Sequence, residues 1–174
     1  MKKVKKAIIP GFLLFAVLGL SGPVWAVNVT LEVDDSVDPP VLVVINNNAQ
    51  CPGGPIDCIE VPRGQQPHMF FKLNKACQPG GSEWGLSRFY VMEYEKSWPA
   101  PVDSAIADEF CANPGTGEVN LNSCGNQVKD NQLKIKNYNR TEGSVYYMIE
   151  AQHCTDSGRP PIGLDPEIRN RGGN

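Results

Sequence analysis

Apolar and polar positions alternate along the chain in short segments. Val27–Val33 (VNVTLEV) and His68–Leu73 (HMFFKL) both alternate, which predicts strands with one buried face. In the second segment we expect Met69, Phe71 and Leu73 to point inward. Turn signals rich in Gly, Pro, Asn and Asp separate such segments, and this punctuation is typical of all-β domains.

Apolar runs predict further strands. Val41–Ile45 is continuously apolar and predicts a strand that is covered on both faces. The other predicted strands are Cys58–Val61, Leu86–Tyr94, Gly117–Leu121, Leu133–Asn137, Ser144–Ala151 and Gly163–Asn170. We expect the last of them at a sheet edge, because Pro166 cannot donate a hydrogen bond to a neighbouring strand.

One short helix is predicted over Asp103–Cys111, where Asp103 or Ser104 can cap the N-terminus. About eight short strands and one helix predict an all-β protein, an antiparallel sandwich of immunoglobulin-like or cupredoxin-like topology. Residues 27–168 are expected to form this single domain. Residues 169–174 (RNRGGN) are expected to be a disordered tail.

The first 26 residues have the layout of a secretory signal. A basic segment, MKKVKK, precedes the apolar run Gly11–Leu20, and Val24 and Ala26 supply small residues before a cleavage site. The run is about 10 residues long, whereas a membrane-spanning helix needs about 20. No Cys occupies position 27, so a lipid anchor is not expected. We predict cleavage after Ala26 and a soluble periplasmic or secreted protein.

Cleavage would change the charge of the protein. The whole chain carries a net charge of −3, and removal of the four lysines of the signal leaves 12 basic against 19 acidic residues, a net of −7. The nearest approach to a basic patch is Lys134 and Lys136 on one strand face. Nucleic acids and anionic membranes are therefore not expected partners.

Six cysteines follow the signal, and an even number in an exported chain predicts three disulfides. The cysteines are Cys51, Cys58, Cys77, Cys111, Cys124 and Cys154. Fifteen pairings are open, and the sequence does not choose among them. Turn-rich loops favour Cys51–Cys58 and Cys111–Cys124, which leaves Cys77–Cys154. No Cys or His spacing matches a zinc finger.

One stretch of the sequence predicts a strand, a turn and a second strand in succession. Its three parts are Asp130–Asn137, Thr141–Gly143 and Tyr146–Ala151. This stretch resembles the E–F corner of immunoglobulin-like domains, in which a Tyr hydrogen-bonds back across the corner. The Cys that follows this Tyr in the family is absent, as is the Cys…Trp…Cys spacing. The resemblance implies a sandwich topology and no particular activity.

Motifs of enzymes are lacking. The chain has no G-x-S-x-G, H-E-x-x-H or S-x-x-K motif, and its histidines are His68 and His153. Glu93 and Glu95 share a strand face, a spacing that is more typical of a solvated surface than of a glycosidase pair. We therefore expect no enzymatic activity and no cofactor.

Two metal ions, calcium and copper, are possible binding partners. For calcium, Asp34, Asp35 and Asp38 lie near Asn46–Asn48 in sequence and offer oxygen ligands, although the EF-hand spacing is absent. For copper, a cupredoxin-type site is disfavoured, because no His or Met follows Cys154. A Cu(I) site would have to draw on His68, Met69, Met92, Met148 and His153.

Aromatic side chains are the remaining candidates for binding. Trp84, Trp98, Tyr90 and Tyr94 would form a platform for a sugar ring or a peptide if they are exposed, and would be ordinary core if they are buried. The sequence thus predicts a binding or structural module with a glycan or peptide partner. The alternatives are a copper or calcium protein, and a fimbrial-type subunit that donates the strand Val27–Val33 to a neighbour.

Overall fold

The computed structural model describes residues 25–74, 76–80, 82–93, 99–129 and 131–172. These residues form ten strands and one helix, α1 (Ser104–Phe110). The strands are β1 (Ala26–Asp34), β2 (Val41–Asn47), β3 (Ile59–Val61), β4 (His68–Leu73), β5 (Trp84–Met92), β6 (Gln127–Lys129), β7 (Gln132–Lys136), β8 (Glu142–His153), β9 (Ile162–Leu164) and β10 (Glu167–Arg171). The mostly β fold with one short helix is confirmed.

The strands form two mixed sheets. The first has the order β2-β1-β4-β7-β6, and the second has the order β3-β10-β8-β5, with β9 also paired to β8. The prediction of purely antiparallel sheets is wrong, because β1 runs parallel to β4 and β10 runs parallel to β3. Alternation of side chains shows which face of a strand is buried but not the direction of its neighbours.

Both sheets contribute their apolar faces to a single core. Met69, Phe71 and Leu73 of β4 are fully buried, as their alternation predicts. The ring centroids of Phe71 and Phe89 lie 5.3 Å apart, and those of Phe71 and Tyr147 lie 5.4 Å apart. These aromatic contacts join β4 of the first sheet to β5 and β8 of the second.

Strand β2 differs from its prediction. It lies at the edge of the first sheet, and Val41 and Ile45 are 39% and 43% exposed. The expectation that both faces are covered is therefore wrong. Only Leu42 and Val44 reach the core, so a continuous apolar run here marks an edge strand with one exposed apolar face.

Residues near the C-terminal end also differ from the prediction. The predicted edge strand is two strands, β9 and β10, with Pro166 between them, and β10 lies inside the second sheet between β3 and β8. Residues 169–171 belong to β10 rather than to a disordered tail, and Asn170 is 2% exposed. Residues 173–174 lie outside the described residues.

Two smaller predictions need correction. Residues 117–121 do not form a continuous strand. Glu118 makes an isolated β-bridge to Tyr90, and Val119 makes one to Ala112. Strand β5 begins at Trp84, two residues before the predicted start. The far end of that predicted strand, at Tyr94, lies outside the described residues.

The helix follows its prediction closely. The side chain of Asp103 caps α1 by accepting a hydrogen bond from the backbone N–H of Ala105 at 2.7 Å. Glu109 on the buried face of α1 accepts hydrogen bonds from the backbone N–H groups of Arg140 and Thr141. The helix thereby holds the turn between β7 and β8. No helix within the described residues is long and apolar enough to span a bilayer.

Three disulfides are present. Cys51–Cys58 and Cys111–Cys124 are the pairs favoured from loop composition, and Cys77–Cys154 is the pair that these two leave. Cys77–Cys154 links the loop between β4 and β5 to the residue that follows β8, across a sequence separation of 77 residues. Three disulfides indicate that the protein resides in an oxidising compartment, as exported proteins do.

Candidate functional site

A cleft of about 870 Å³ opens between two loops, residues 35–40 after β1 and residues 154–161 after β8. It lies where the edge strand β2 packs beside β9. Its walls are mainly apolar and its opening carries charge. The prolines are Pro39, Pro40, Pro160 and Pro161; the other apolar residues include Val37, Val41, Trp84 and Ile162; the charged residues are Asp35, Asp38 and Arg159.

The first wall is shaped by a turn at the end of β1. The carboxylate of Asp34 accepts hydrogen bonds from the backbone N–H and the hydroxyl of Ser36, at 2.9 Å and 2.5 Å. These hydrogen bonds lower the pKa of Asp34. Asp35 and Asp38 follow in the same loop with exposed side chains. None of the salt bridges among the described residues involves either of them.

The floor is the indole of Trp84, which His153 holds in place. Their rings meet edge to face with centroids 5.3 Å apart. The Nδ1 atom of His153 accepts a hydrogen bond from the backbone N–H of Asp156 at 3.0 Å. The proton of a neutral ring therefore lies on Nε2, where the carboxylate of Glu83 accepts it at 3.1 Å. His153 thus joins the floor of the cleft to its second wall.

The second wall is anchored by the Cys77–Cys154 disulfide. The backbone N–H of Cys154 donates to the carbonyl of Glu83 at 2.7 Å. A Cβ atom at Gly85 would lie 2.8 Å from Sγ of Cys77, so a larger residue there would displace the disulfide. Further along the loop, Arg159 forms an exposed ion pair with Asp156 at 3.7 Å. The loop that carries Arg159 therefore starts from a covalently fixed base.

The predicted aromatic platform is only partly within the described residues, and its two described members follow the alternative in which these side chains are buried. Trp84 is 3% exposed and Tyr90 is 2% exposed. Trp84 nevertheless contributes to the cleft, as its floor. Trp98 and Tyr94 lie outside the described residues, as does Glu95 of the carboxylate pair considered with Glu93.

Tyr90 belongs to a separate polar cluster on the outer side of β5. The guanidinium of Arg88 donates to the Tyr90 hydroxyl at 3.3 Å and lies 3.8 Å from the carboxylate of Glu150. Glu118 lies 3.9 Å from the same guanidinium. Burial raises the pKa of Glu150, and the positive charge of Arg88 opposes that shift.

The copper ligands considered from the sequence are not gathered into one site. Met69 and Met92 are buried, and Met69 lies in the core between the sheets. The ring of His68 contacts Phe70, and the charge of Lys134 contributes to lowering the pKa of His68. His153 instead contacts Trp84 and Glu83. Among the described residues, no three His, Cys, Asp or Glu side chains form a group that could hold a metal ion.

The calcium ligands considered from the sequence are separated by the length of β2. Asp34 pairs with Val41 at one end of the β1–β2 hairpin, and Thr30 pairs with Asn46 near the other end. Five residues of extended strand span roughly 17 Å. The aspartates and the asparagines therefore do not share one site.

The residues that line the cleft around Trp84 were not predicted from the sequence as a group. Two Pro-Pro pairs, Pro39-Pro40 and Pro160-Pro161, stand in loops more than a hundred residues apart and meet across the cleft. The two dipeptides were visible as loop signals, but their pairing depends on β2 lying beside β9. No protein-family model matches this chain, and no curated protein matches it.

Proposed function

We propose that the protein is an exported, disulfide-stapled β-sandwich that binds an extended peptide in the cleft between the 35–40 and 154–161 loops. The cleft itself supports this proposal most directly, because a large, mainly apolar concavity with a few charged groups is the usual form of a binding site. Its base is rigid, since the Cys77–Cys154 disulfide and the hydrogen bonds of His153 fix the second wall.

The chemistry of the walls favours a peptide over a glycan. A sugar presents hydroxyl groups, which lose hydrogen bonds to water unless the site replaces them. Prolines, Val37, Val41 and Ile162 offer apolar surface and few hydrogen-bond donors. Aliphatic side chains of a peptide carry no polar groups and would fill the apolar part of such a cleft.

The charge at the opening favours a basic residue in that peptide. Asp35 and Asp38 are exposed and take part in no salt bridge among the described residues, whereas Arg159 is paired with Asp156. The opening is therefore net negative. A lysine or arginine of the ligand would meet these two carboxylates.

A fluorescence-anisotropy titration tests the proposal, with a labelled pool of short peptides that alternate aliphatic and basic residues. Val41→Arg should fill the cleft and weaken binding about tenfold or more. Ile45→Arg is the matched control, because Ile45 lies on the same strand with similar exposure but outside the cleft.

Three results would contradict a peptide-binding cleft. The first is equal loss of binding in both variants, and the second is equal binding of a pool in which acidic residues replace the basic ones. The third is the absence of binding by any peptide pool when circular dichroism shows the protein to be folded.

A further inference from the structure

All four lysines that the structure describes lie on one surface, the outer face of the first sheet. They are Lys72 on β4, Lys129 on β6, and Lys134 and Lys136 on β7. We call the outward positions of these three strands the lysine face. The inward positions of β4 and β7 are occupied by fully buried apolar side chains, so the two faces are sharply different.

The strand register places the charges close together. Lys72 pairs with Gln132, which pairs on its other side with Lys129, and in the next row Phe70 pairs with Lys134. Directly paired residues project on the same side of a sheet. Neighbouring strands are about 5 Å apart and alternate residues along a strand are about 7 Å apart, so the four ammonium groups project from an area roughly 15 Å across.

Among the described residues, no carboxylate forms a salt bridge with these lysines. The outward positions of β4, β6 and β7 contain no Asp or Glu, and every salt bridge among the described residues uses an arginine or His153. Lys136 donates a hydrogen bond to the backbone carbonyl of Gln66, which leaves its charge in place. In a chain with excess negative charge, this surface is a local concentration of positive charge.

The positive charge of the lysines also affects the pKa of a neighbouring histidine. His68 pairs with Lys136 in the register of β4 and β7. Burial lowers the pKa of His68, and the charges of Lys134 and Lys136 lower it further. A bound anion would reverse this electrostatic contribution.

Neutral side chains on the lysine face suit a sugar polymer. Gln132 lies between Lys72 and Lys129 in the strand register. Gln127 is the edge neighbour of Lys134, and Thr30 on β1 pairs with Lys72. Amides and hydroxyls can exchange hydrogen bonds with sugar hydroxyls. Phe70 is half-buried between Asn28 and Lys134, and its ring offers an apolar surface to the C–H face of a sugar.

We propose that the lysine face binds an acidic polysaccharide, with the lysines of β4, β6 and β7 contacting its carboxylates. This site is separate from the cleft, which lies beside β2 and has an acidic opening. A uronic acid chain supplies carboxylates and hydroxyls together. A bilayer supplies charge without matching the amides, and Phe70 is the one Phe, Tyr or Trp at the outward positions of β4, β6 and β7.

The first test uses the folded wild-type protein and a de-esterified oligogalacturonate as the probe, followed by NMR of the histidine rings. Binding at low salt should shift the His68 resonances and raise the pKa of His68. His153 is the internal control, because it lies on β8 of the other sheet. Equal shifts of both rings, or no shift at all, would overturn the proposal.

The second test changes the charge. The double variant Lys72→Gln/Lys134→Gln should bind oligogalacturonate about tenfold more weakly, and Lys72→Arg/Lys134→Arg should retain binding. Arg63→Gln removes an exposed positive charge outside the strands and should have no effect. An equal loss in Arg63→Gln would overturn the proposal.

The third test compares probes. The fully methyl-esterified oligomer should fail to bind, because it lacks the charges. Single-stranded DNA and phosphatidylglycerol vesicles should bind far more weakly than oligogalacturonate at the same salt concentration. If either of them binds as tightly, the face recognises charge alone and the assignment to a polysaccharide is wrong. None of these probes tests the cleft, so the two proposals stand or fall separately.

Discussion

The hydroxyl of Tyr147 donates a hydrogen bond to the backbone carbonyl of Asp57, 90 residues earlier in the chain, at 3.1 Å. In an immunoglobulin-type corner, the equivalent Tyr bonds to backbone only a few residues upstream. Here the bond instead joins β8 to the loop closed by the Cys51–Cys58 disulfide. Tyr147 therefore ties the core to a distant loop.

We expect Tyr147→Phe to lower the free energy of unfolding by about 1 kcal/mol, because the Asp57 carbonyl would lose its partner while the ring stays packed. Urea unfolding measures the difference. Tyr146→Phe is the control, since Tyr146 is the next residue on β8 and is only half-buried. Equal stability of the two variants would show that the hydrogen bond contributes nothing.

The disulfides should differ in their contributions to stability. Loop-closure entropy predicts roughly 4–5 kcal/mol for a bridge with the separation of 77 residues found for Cys77–Cys154. It predicts roughly 2–3 kcal/mol for the separation of 7 residues of Cys51–Cys58. Paired Cys→Ala variants of each bridge, compared by urea unfolding, test the order. The reverse order would show that strain or residual structure dominates.

Glu150 should make stability depend on pH in an unusual direction for a carboxylate. Burial raises its pKa above 4.5, so the folded state holds the proton more tightly than the unfolded state does. Its contribution to stability is thus fully present below the unfolded pKa and is lost as pH rises through the folded pKa.

Comparison of Glu150→Gln with the wild type isolates this contribution. The stability of the variant relative to the wild type should rise between acidic and neutral pH. Glu142→Gln is the control, because Glu142 is an exposed carboxylate at the start of the same strand β8. A difference that does not change with pH would contradict the prediction.

His153 should rigidify the second wall of the cleft. His153→Phe keeps a ring against Trp84 and removes both nitrogens, so the backbone N–H of Asp156 loses its acceptor. We expect hydrogen exchange of that amide to accelerate about tenfold, equivalent to about 1.4 kcal/mol. The amide of Leu133 in β7 serves as the internal reference. Unchanged exchange at Asp156 would show that the wall is held by other contacts.

The sequence predicted local features well and long-range ones poorly. The alternation in β4 identified Met69, Phe71 and Leu73 as core, because period-two burial is a property of a single strand. The cap of α1 by Asp103 was also predictable, because a helix cap depends only on residues that are close in sequence. The parallel neighbours of β1 and β10 were not, because they depend on how distant strands assemble.

Neither proposed site was predicted from the sequence, because each depends on how distant strands and loops assemble. Lys134 and Lys136 are visible as a pair on one strand, but Lys72 joins them only through the pairing of β4 with β7. Trp84 was predicted as either an exposed platform residue or ordinary core, and it is the buried floor of the cleft, because the loops that cover it come from far along the chain. Each site is made by topology rather than by a motif.

The position of β10 sets the order in which the second sheet can be completed. β10 pairs with both β3 and β8, so the second sheet stays incomplete until residues 167–171 are available. In a chain that emerges with its N-terminus first, the edges of β3 and β8 would therefore stay open to pairing with other chains until β10 arrives. This interval is the one in which the protein is most exposed to aggregation.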